Sequence, residues 1–131
     1  MQLYLVRHAE AAQGVPDELR PLTAAGREQA RSLGIRLREE GVRPDAILTS
    51  PLLRARETGD LLARELGVPA RPEERLAPGA TATAVAEAAR EGGETIVVVV
   101  GHQPDCGQIA AALTGEPEPE FPPAGVAGIR L

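Results

Sequence analysis

Apolar positions along the chain fall into two rhythms. Residues 2–6 (Gln-Leu-Tyr-Leu-Val), 45–50 (Asp-Ala-Ile-Leu-Thr-Ser), 95–100 (Thr-Ile-Val-Val-Val-Val) and 124–131 (Ala-Gly-Val-Ala-Gly-Ile-Arg-Leu) are short β-rich runs that predict strands. The four consecutive valines predict a strand buried on both faces. Between the runs the period changes to that of a helix. Gly26, Ala30, Leu33 and Leu37 share one face of residues 23–40, with Thr23 as N-cap and Gly41 as stop. Leu52, Ala55, Gly59, Leu62 and Leu66 share a face of residues 51–66, which Pro51 opens and Gly67 ends. Residues 80–91 are alanine-rich and end at Gly92-Gly93, and residues 103–114 run from Pro104 to Gly115. Residues 68–79 and the proline-rich 115–123 read as irregular.

Strands alternating with helices predict an α/β fold, a three-layer α/β/α sandwich around a mostly parallel sheet. With 131 residues, no internal repeat and no linker, one domain over 1–131 is expected. Sheets of this kind bind ligands beyond the carboxyl ends of their strands. His8 follows the first strand, Ser50 ends the second, and His102 follows the valine strand. The only two histidines are therefore expected on the same sheet edge.

Composition narrows the function classes. Aromatic residues make up 2%, too few for base-stacking platforms, and the formal net charge of −5 repels nucleic acid and anionic membranes. Every cationic side chain is an arginine, and neither lysine nor asparagine occurs, as a coding bias would give. Cys106 is the only cysteine, so no internal disulfide and no cysteine-based zinc site is expected. The start Met-Gln-Leu-Tyr-Leu-Val is short and followed by charge. It resembles neither a signal peptide nor a membrane span, and a cytoplasmic protein is expected.

Against that acidic background, Arg7, His8, Arg54 and His102 are expected to converge. Arg54 lies one turn into the helix after the second strand, where its guanidinium can reach back over the strand ends. Arginine's planar fork matches phosphate oxygens bidentately, and two converging arginines call for an anion. A neutral histidine beside phosphate can act as a nucleophile, with the arginines stabilising charge in an in-line transfer. A second histidine opposite would donate to the transferring group, best as imidazolium. Each piece taken singly has a plainer reading: a solvated charge, a surface histidine, or an ion pair of Arg54 with Glu57 or Asp60. A metal site from His8, His102, Glu10 and Asp105 is disfavoured by their spacing and by the nearby arginines.

The residues also carry a resemblance. Val6-Arg7-His8-Ala9-Glu10 resembles the R-H-G/A-E signature of the histidine phosphatase superfamily, which includes the phosphoglycerate mutases. Arg20-Pro21-Leu22-Thr23 with Gly26 resembles its R-P-L-T-x-x-G block. Ser50-Pro51-Leu52-Leu53-Arg54-Ala55-Arg56-Glu57-Thr58 resembles its S-P-x-x-R-A-x-x-T block, and Gly101-His102 its G-H block. The blocks stand in family order across nearly the whole chain. The resemblance implies a phosphoglycerate mutase-like fold, His8 as nucleophile, a phosphate pocket of Arg7, Arg54 and His102 with Arg20 at its edge, and no metal or other cofactor. Size and the compact R-P-L-T start look most like the small bacterial phosphohistidine phosphatases of the SixA type.

One departure bears on the substrate. Larger relatives carry a glutamate general acid after a leucine in the middle segment. Here Arg75-Leu76-Ala77-Pro78-Gly79 has none, and Glu10, Glu73, Glu74 and Asp105 are unranked substitutes. An alkoxide needs protonation as it leaves, whereas a protonated phosphohistidine ring expels neutral imidazole unaided. The expected activity is thus a phosphatase acting on phosphohistidine in a protein. The alternative is a phosphomonoesterase for a small phosphorylated metabolite, and a third reading is a non-catalytic phosphate-binding module.

Overall fold

The computed structural model describes residues 1–131. Five strands form one sheet in the order β3-β2-β4-β1-β5: β1 Gln2–Arg7, β2 Ala46–Thr49, β3 Ala70–Pro72, β4 Ile96–Gly101 and β5 Val126–Arg130. The first four run parallel, and β5 pairs antiparallel with β1. The α-helices are α1 Ala24–Glu39, α2 Leu53–Leu66, α3 Ala82–Arg90 and α4 Asp105–Thr114.

Period-two alternation sorts the strand side chains into two cores. Leu3, Leu5, Ala46, Leu48, Val97 and Val99 face one way, against Val85, Ala88 and Ala89 of α3 and Ile109 and Ala110 of α4. Val6, Ile47, Val98 and Val100 face the other way, against Leu33 and Leu37 of α1 and Ala55 and Leu62 of α2. The result is the expected α/β/α sandwich. Each fully buried Leu, Val or Ile contributes roughly 1.5–3 kcal/mol, so an almost wholly aliphatic core, with Phe121 its buried aromatic, holds the layers.

Local signals end the helices where the sequence places them. Thr23 Oγ1 accepts the Gly26 N–H at 2.9 Å, the N-cap of α1. Gly67 and Gly115 close α2 and α4 at φ 73° and 75°, a left-handed backbone that glycine adopts without a Cβ clash. The segment 68–79 differs from expectation. It holds β3 and a 3-10 turn, Glu74–Leu76, that sinks Leu76 into the core. β3 is three residues long and lies at the sheet edge, where Pro72 removes no needed donor.

Register brings the three strand ends together. Arg7 pairs with Gly101 and Thr49 with Val100. The His8 N–H then donates to Gly101 O at 2.9 Å, and the Ser50 N–H to Val100 O at 2.9 Å, so each ladder continues one residue past its strand. His8, His102 and Ser50 thereby leave the sheet side by side.

Candidate active site

At this edge Arg7, His8, Asp17, Arg20, Arg54, Pro78, His102 and Gln103 line an open cavity of about 310 Å³, with no apolar side chain other than the proline ring. A larger groove of about 540 Å³, between α1 and residues 119–127, contains neither histidine. All five expected site residues meet in the first cavity. The two imidazole rings stand edge to face, with centroids 5.2 Å apart.

His8 is oriented by the backbone. Its Nδ1 lies 2.7 Å from Ala9 O. A carbonyl only accepts, so Nδ1 carries the proton and Nε2 keeps its lone pair. The Ala9 N–H donates in turn to Thr58 Oγ1 at 3.0 Å, and the Thr58 hydroxyl donates to Arg54 O at 2.8 Å. Thr58 is fully buried. It ties the segment after His8 to the helix turn that carries Arg54. The S-P-x-x-R-A-x-x-T block in the sequence includes Thr58, but its tie to Ala9, 49 residues away, is a tertiary fact.

Arg7 Nη1 donates to Phe121 O at 2.9 Å, which anchors the guanidinium under residues 119–123. Its Nε is buried without a partner, as is Nδ1 of His102. Buried polar atoms left unpaired are uncommon and concentrate where structure is subordinate to function. His102 Nε2 lies 2.7 Å from Ser50 Oγ, and that oxygen accepts the Leu52 N–H at 3.2 Å.

Both rings are held uncharged. Burial, then the Arg54, Arg7 and Arg20 cations, push His8 from the ordinary 6.5 down to about 4, against the raising effect of the Ala9 carbonyl. Burial, then His8 and Arg54, push His102 down to about 3. Cationic neighbours and a dry setting disfavour a further positive charge on His102, so the imidazolium expected opposite a transferring group requires the phosphoryl group itself to be bound. A bound phosphoryl dianion acts in the opposite sense.

The four candidate carboxylates are all elsewhere. Glu10 is exposed and accepts from the Thr23 hydroxyl at 3.0 Å. Glu74 is exposed on its turn. Glu73 is paired with Arg75, first by side-chain and then by backbone hydrogen bonds, which lower its pKa to about 2, so it has no proton to give at neutral pH. Asp105 is buried at the start of α4, where its Oδ2 accepts the Gly79 N–H at 2.8 Å and fixes the loop that carries Pro78. No group of three or more His, Cys, Asp and Glu is placed to hold a metal ion.

The carboxylate that does reach the pocket is Asp17, which sequence reasoning missed. It sits on a single 3-10 turn, Asp17–Leu19. Its Oδ1 accepts from Arg20 Nη1 at 2.9 Å and its Oδ2 from Arg54 Nη2 at 3.2 Å, while its backbone O accepts from Arg54 Nη1 at 2.9 Å. Arg54 therefore pairs with neither Glu57 nor Asp60. Glu57 instead accepts the Leu22 N–H at 2.8 Å and Arg27 at 3.0 Å. Arg20 Nε donates to Ala12 O at 2.8 Å, which sets it at the pocket rim.

The family model of the histidine phosphatase superfamily (branch 1) matches residues 3–78. This chain belongs to that superfamily. It is 31% identical to the phosphohistidine phosphatase SixA of Escherichia coli over 138 residues, covering 100% of this chain and 86% of that protein. An uncharacterized protein of the cyanobacterium Picosynechococcus is 38% identical over 99% of this chain and 85% of its own length. Among solved structures, the protein histidine phosphatase SixA complexed with tungstate superposes with a TM-score of 0.91 at 31% identity, covering 100% of this chain and 88% of that one. Within the superfamily, the segment after Leu76 in this chain brings Pro78 rather than a carboxylate to the pocket.

Proposed function

We propose that this chain is a phosphatase that removes the phosphoryl group from phosphohistidine on a protein partner, through a covalent phosphohistidine on His8. Nε2 of neutral His8 attacks phosphorus while Arg7, Arg54 and His102 receive the phosphoryl oxygens. The bond from phosphorus to the substrate ring breaks, and its electron pair stays on the leaving nitrogen. If that ring carries a proton on its other nitrogen, it departs as neutral imidazole. The phosphorylated His8 ring is then itself cationic, its Nδ1–H still held by Ala9 O. Attack by water releases inorganic phosphate and returns His8 to its starting form.

The observation that carries this reading is the absence of an available acid among the pocket carboxylates. Asp17 is ionised and engaged by two arginines, and Glu10, Glu73, Glu74 and Asp105 lie outside the cavity. Such a site suits a leaving group that needs no donor. The similarity to SixA of Escherichia coli, named a phosphohistidine phosphatase, supports the same substrate class. The open, polar cavity suits a phosphoryl group presented on a protein surface. A cytoplasmic setting is part of the proposal, supported by one buried, unpaired cysteine. No helix is long and apolar enough to cross a membrane.

The test compares kcat/KM for a phosphohistidine protein, phosphoserine and phosphoglycerate, with His8→Ala as the blank. The phosphohistidine substrate is expected to be fastest. An alkyl phosphate as best substrate would make the chain a small-metabolite phosphomonoesterase, and binding without turnover would make it a phosphate-binding module. Chelators are expected to leave activity intact, because arginine and histidine supply the positive charge; loss in EDTA restored by a divalent ion would count against the mechanism.

A further inference from the structure

The position of Asp17 raises a problem for any anionic ligand. Its carboxylate already occupies the charge-complementary place between Arg20 and Arg54. Arg54 has its guanidinium fork turned to Asp17, one Nη to the carboxylate and the other to the backbone O. A dianion entering beside an ionised carboxylate meets like charge at short range, worth more in a partly dry pocket than in water. The two sides of this ion pair differ in freedom. The Arg54 side chain is 8% exposed, whereas the Asp17 side chain is 60% exposed on a one-turn segment at the rim. Outward displacement therefore costs the exposed Asp17 side chain less packing than it would cost the buried Arg54 side chain.

An acid role does not fit Asp17. Hydrogen bonds from Arg20, then Arg54, hold its pKa below the usual carboxylate range, so it has no proton to give at neutral pH. Both oxygens are already acceptors.

We propose that Asp17 is an internal anion of the phosphate pocket: its carboxylate holds Arg20 and Arg54 in the empty enzyme, and a phosphoryl group engages Arg54 fully only by displacing it. The proposal rests on the reading of this pocket as a phosphoryl site. Its consequence is a pocket that binds free phosphate weakly. After the second step, the carboxylate returns to the arginines and helps expel inorganic phosphate. A phosphorylated protein brings additional contacts of its own that offset the displacement, so the device penalises small phosphates more than protein-borne ones.

Isothermal titration of inorganic phosphate into the native protein, Asp17→Asn, Asp17→Ala and Arg54→Ala tests this. Asparagine removes the charge and keeps one of the two oxygen acceptors, the other becoming an amide donor, whereas alanine removes both. Phosphate is expected to bind Asp17→Asn about tenfold more tightly than the native protein, the scale of one lost like-charge contact in a partly screened site. Asp17→Ala should move in the same direction, and product inhibition by phosphate should strengthen in both. A side chain that merely orients the arginines would give the reverse, weaker binding on substitution, and that result would overturn the proposal. Equal phosphate affinity in native protein and Asp17→Asn would also overturn it while leaving the phosphatase reading standing, provided Arg54→Ala abolishes binding. Phosphate binding unaffected by Arg54→Ala would overturn both, because the anion would then sit elsewhere.

Discussion

Two histidines and one cavity make the residue scale directly measurable. Both rings are held uncharged by burial and neighbouring cations, His8 near 4 and His102 near 3. An NMR titration of the two imidazole C–H resonances is expected to show neither ring gaining a proton above about pH 5. Addition of vanadate or phosphate should raise both midpoints, since a dianion favours the charged rings. An ordinary midpoint near 6.5 for His8 in the empty protein would remove the argument that arginines and burial keep it nucleophilic. Arg54→Lys keeps the charge and loses the fork; removing one charge-assisted contact costs roughly 1.5–3 kcal/mol, so kcat/KM should fall about 10- to 100-fold. Arg7, His8 and His102 were legible in the sequence because strand-end position follows from chain order, and Arg54 because it stands at the start of the helix that follows the second strand. Asp17 was not. Its partner Arg54 lies 37 residues away, and their meeting depends on the path of a loop that periodicity does not describe. The available signal was the Asp-x-x-Arg spacing of Asp17 and Arg20, which a single 3-10 turn closes into an ion pair.

At the scale of elements, the site depends on how α1 and α2 grip the segment after His8. The Gly26 position is closed to any side chain: a Cβ there would stand 2.0 Å from the backbone O of Glu10. The same strand of backbone is held by Thr23 N–H donating to Glu10 O at 3.0 Å and by Ala9 N–H donating to Thr58 Oγ1. Gly26→Ala must therefore push α1 away from residues 9–11, and overpacking of this kind costs roughly 1–3 kcal/mol. Because Ala9 O fixes the His8 tautomer, activity should fall more than stability alone explains, which thermal melts and kcat at a temperature well below the transition will separate. Thr58→Val should behave similarly, leaving the Ala9 N–H without its acceptor. The stripes of α1 and α2 predicted this packing correctly, since Gly26 and Gly59 were on the apolar faces. β3 escaped because three residues, Ala70, Arg71 and Pro72, are too few and too polar to show a period, and only edge pairing with β2 makes them a strand.

For the whole molecule, alternation of strands and helices foretold the three layers but not the order β3-β2-β4-β1-β5, nor that β5 runs antiparallel, because pairing partners are set by which apolar faces meet in space. The assembled fold has a property none of its parts shows alone: a cationic, histidine-bearing pocket kept uncharged at its rings within a protein of net charge −5. That arrangement ties stability to acidity, and the sign follows from linkage. His8 and His102 have folded pKa values below the unfolded 6.5, so between pH 6.5 and about 4 for His8, or about 3 for His102, the unfolded chain binds more protons than the folded one. Stability must fall as pH falls through that window. The depressed carboxylates act in the same sense lower down: Asp17, Asp45 and Glu73 stabilise the fold while ionised, and Glu73 loses this only as pH falls through about 2. Between pH 7 and 5 the histidines dominate, at about 2 kcal/mol each. Denaturant titrations at pH 7 and pH 5 should therefore show a loss of about 4 kcal/mol, and the double variant His8→Asn, His102→Asn should have a lower pH slope over this interval whatever its stability at pH 7. An unchanged slope in the double variant would mean that the two rings are not the groups held neutral by the fold. Phosphate at saturating concentration should reduce the loss in the native protein, because a ligand that favours charged rings brings the folded pKa values back toward those of the unfolded chain.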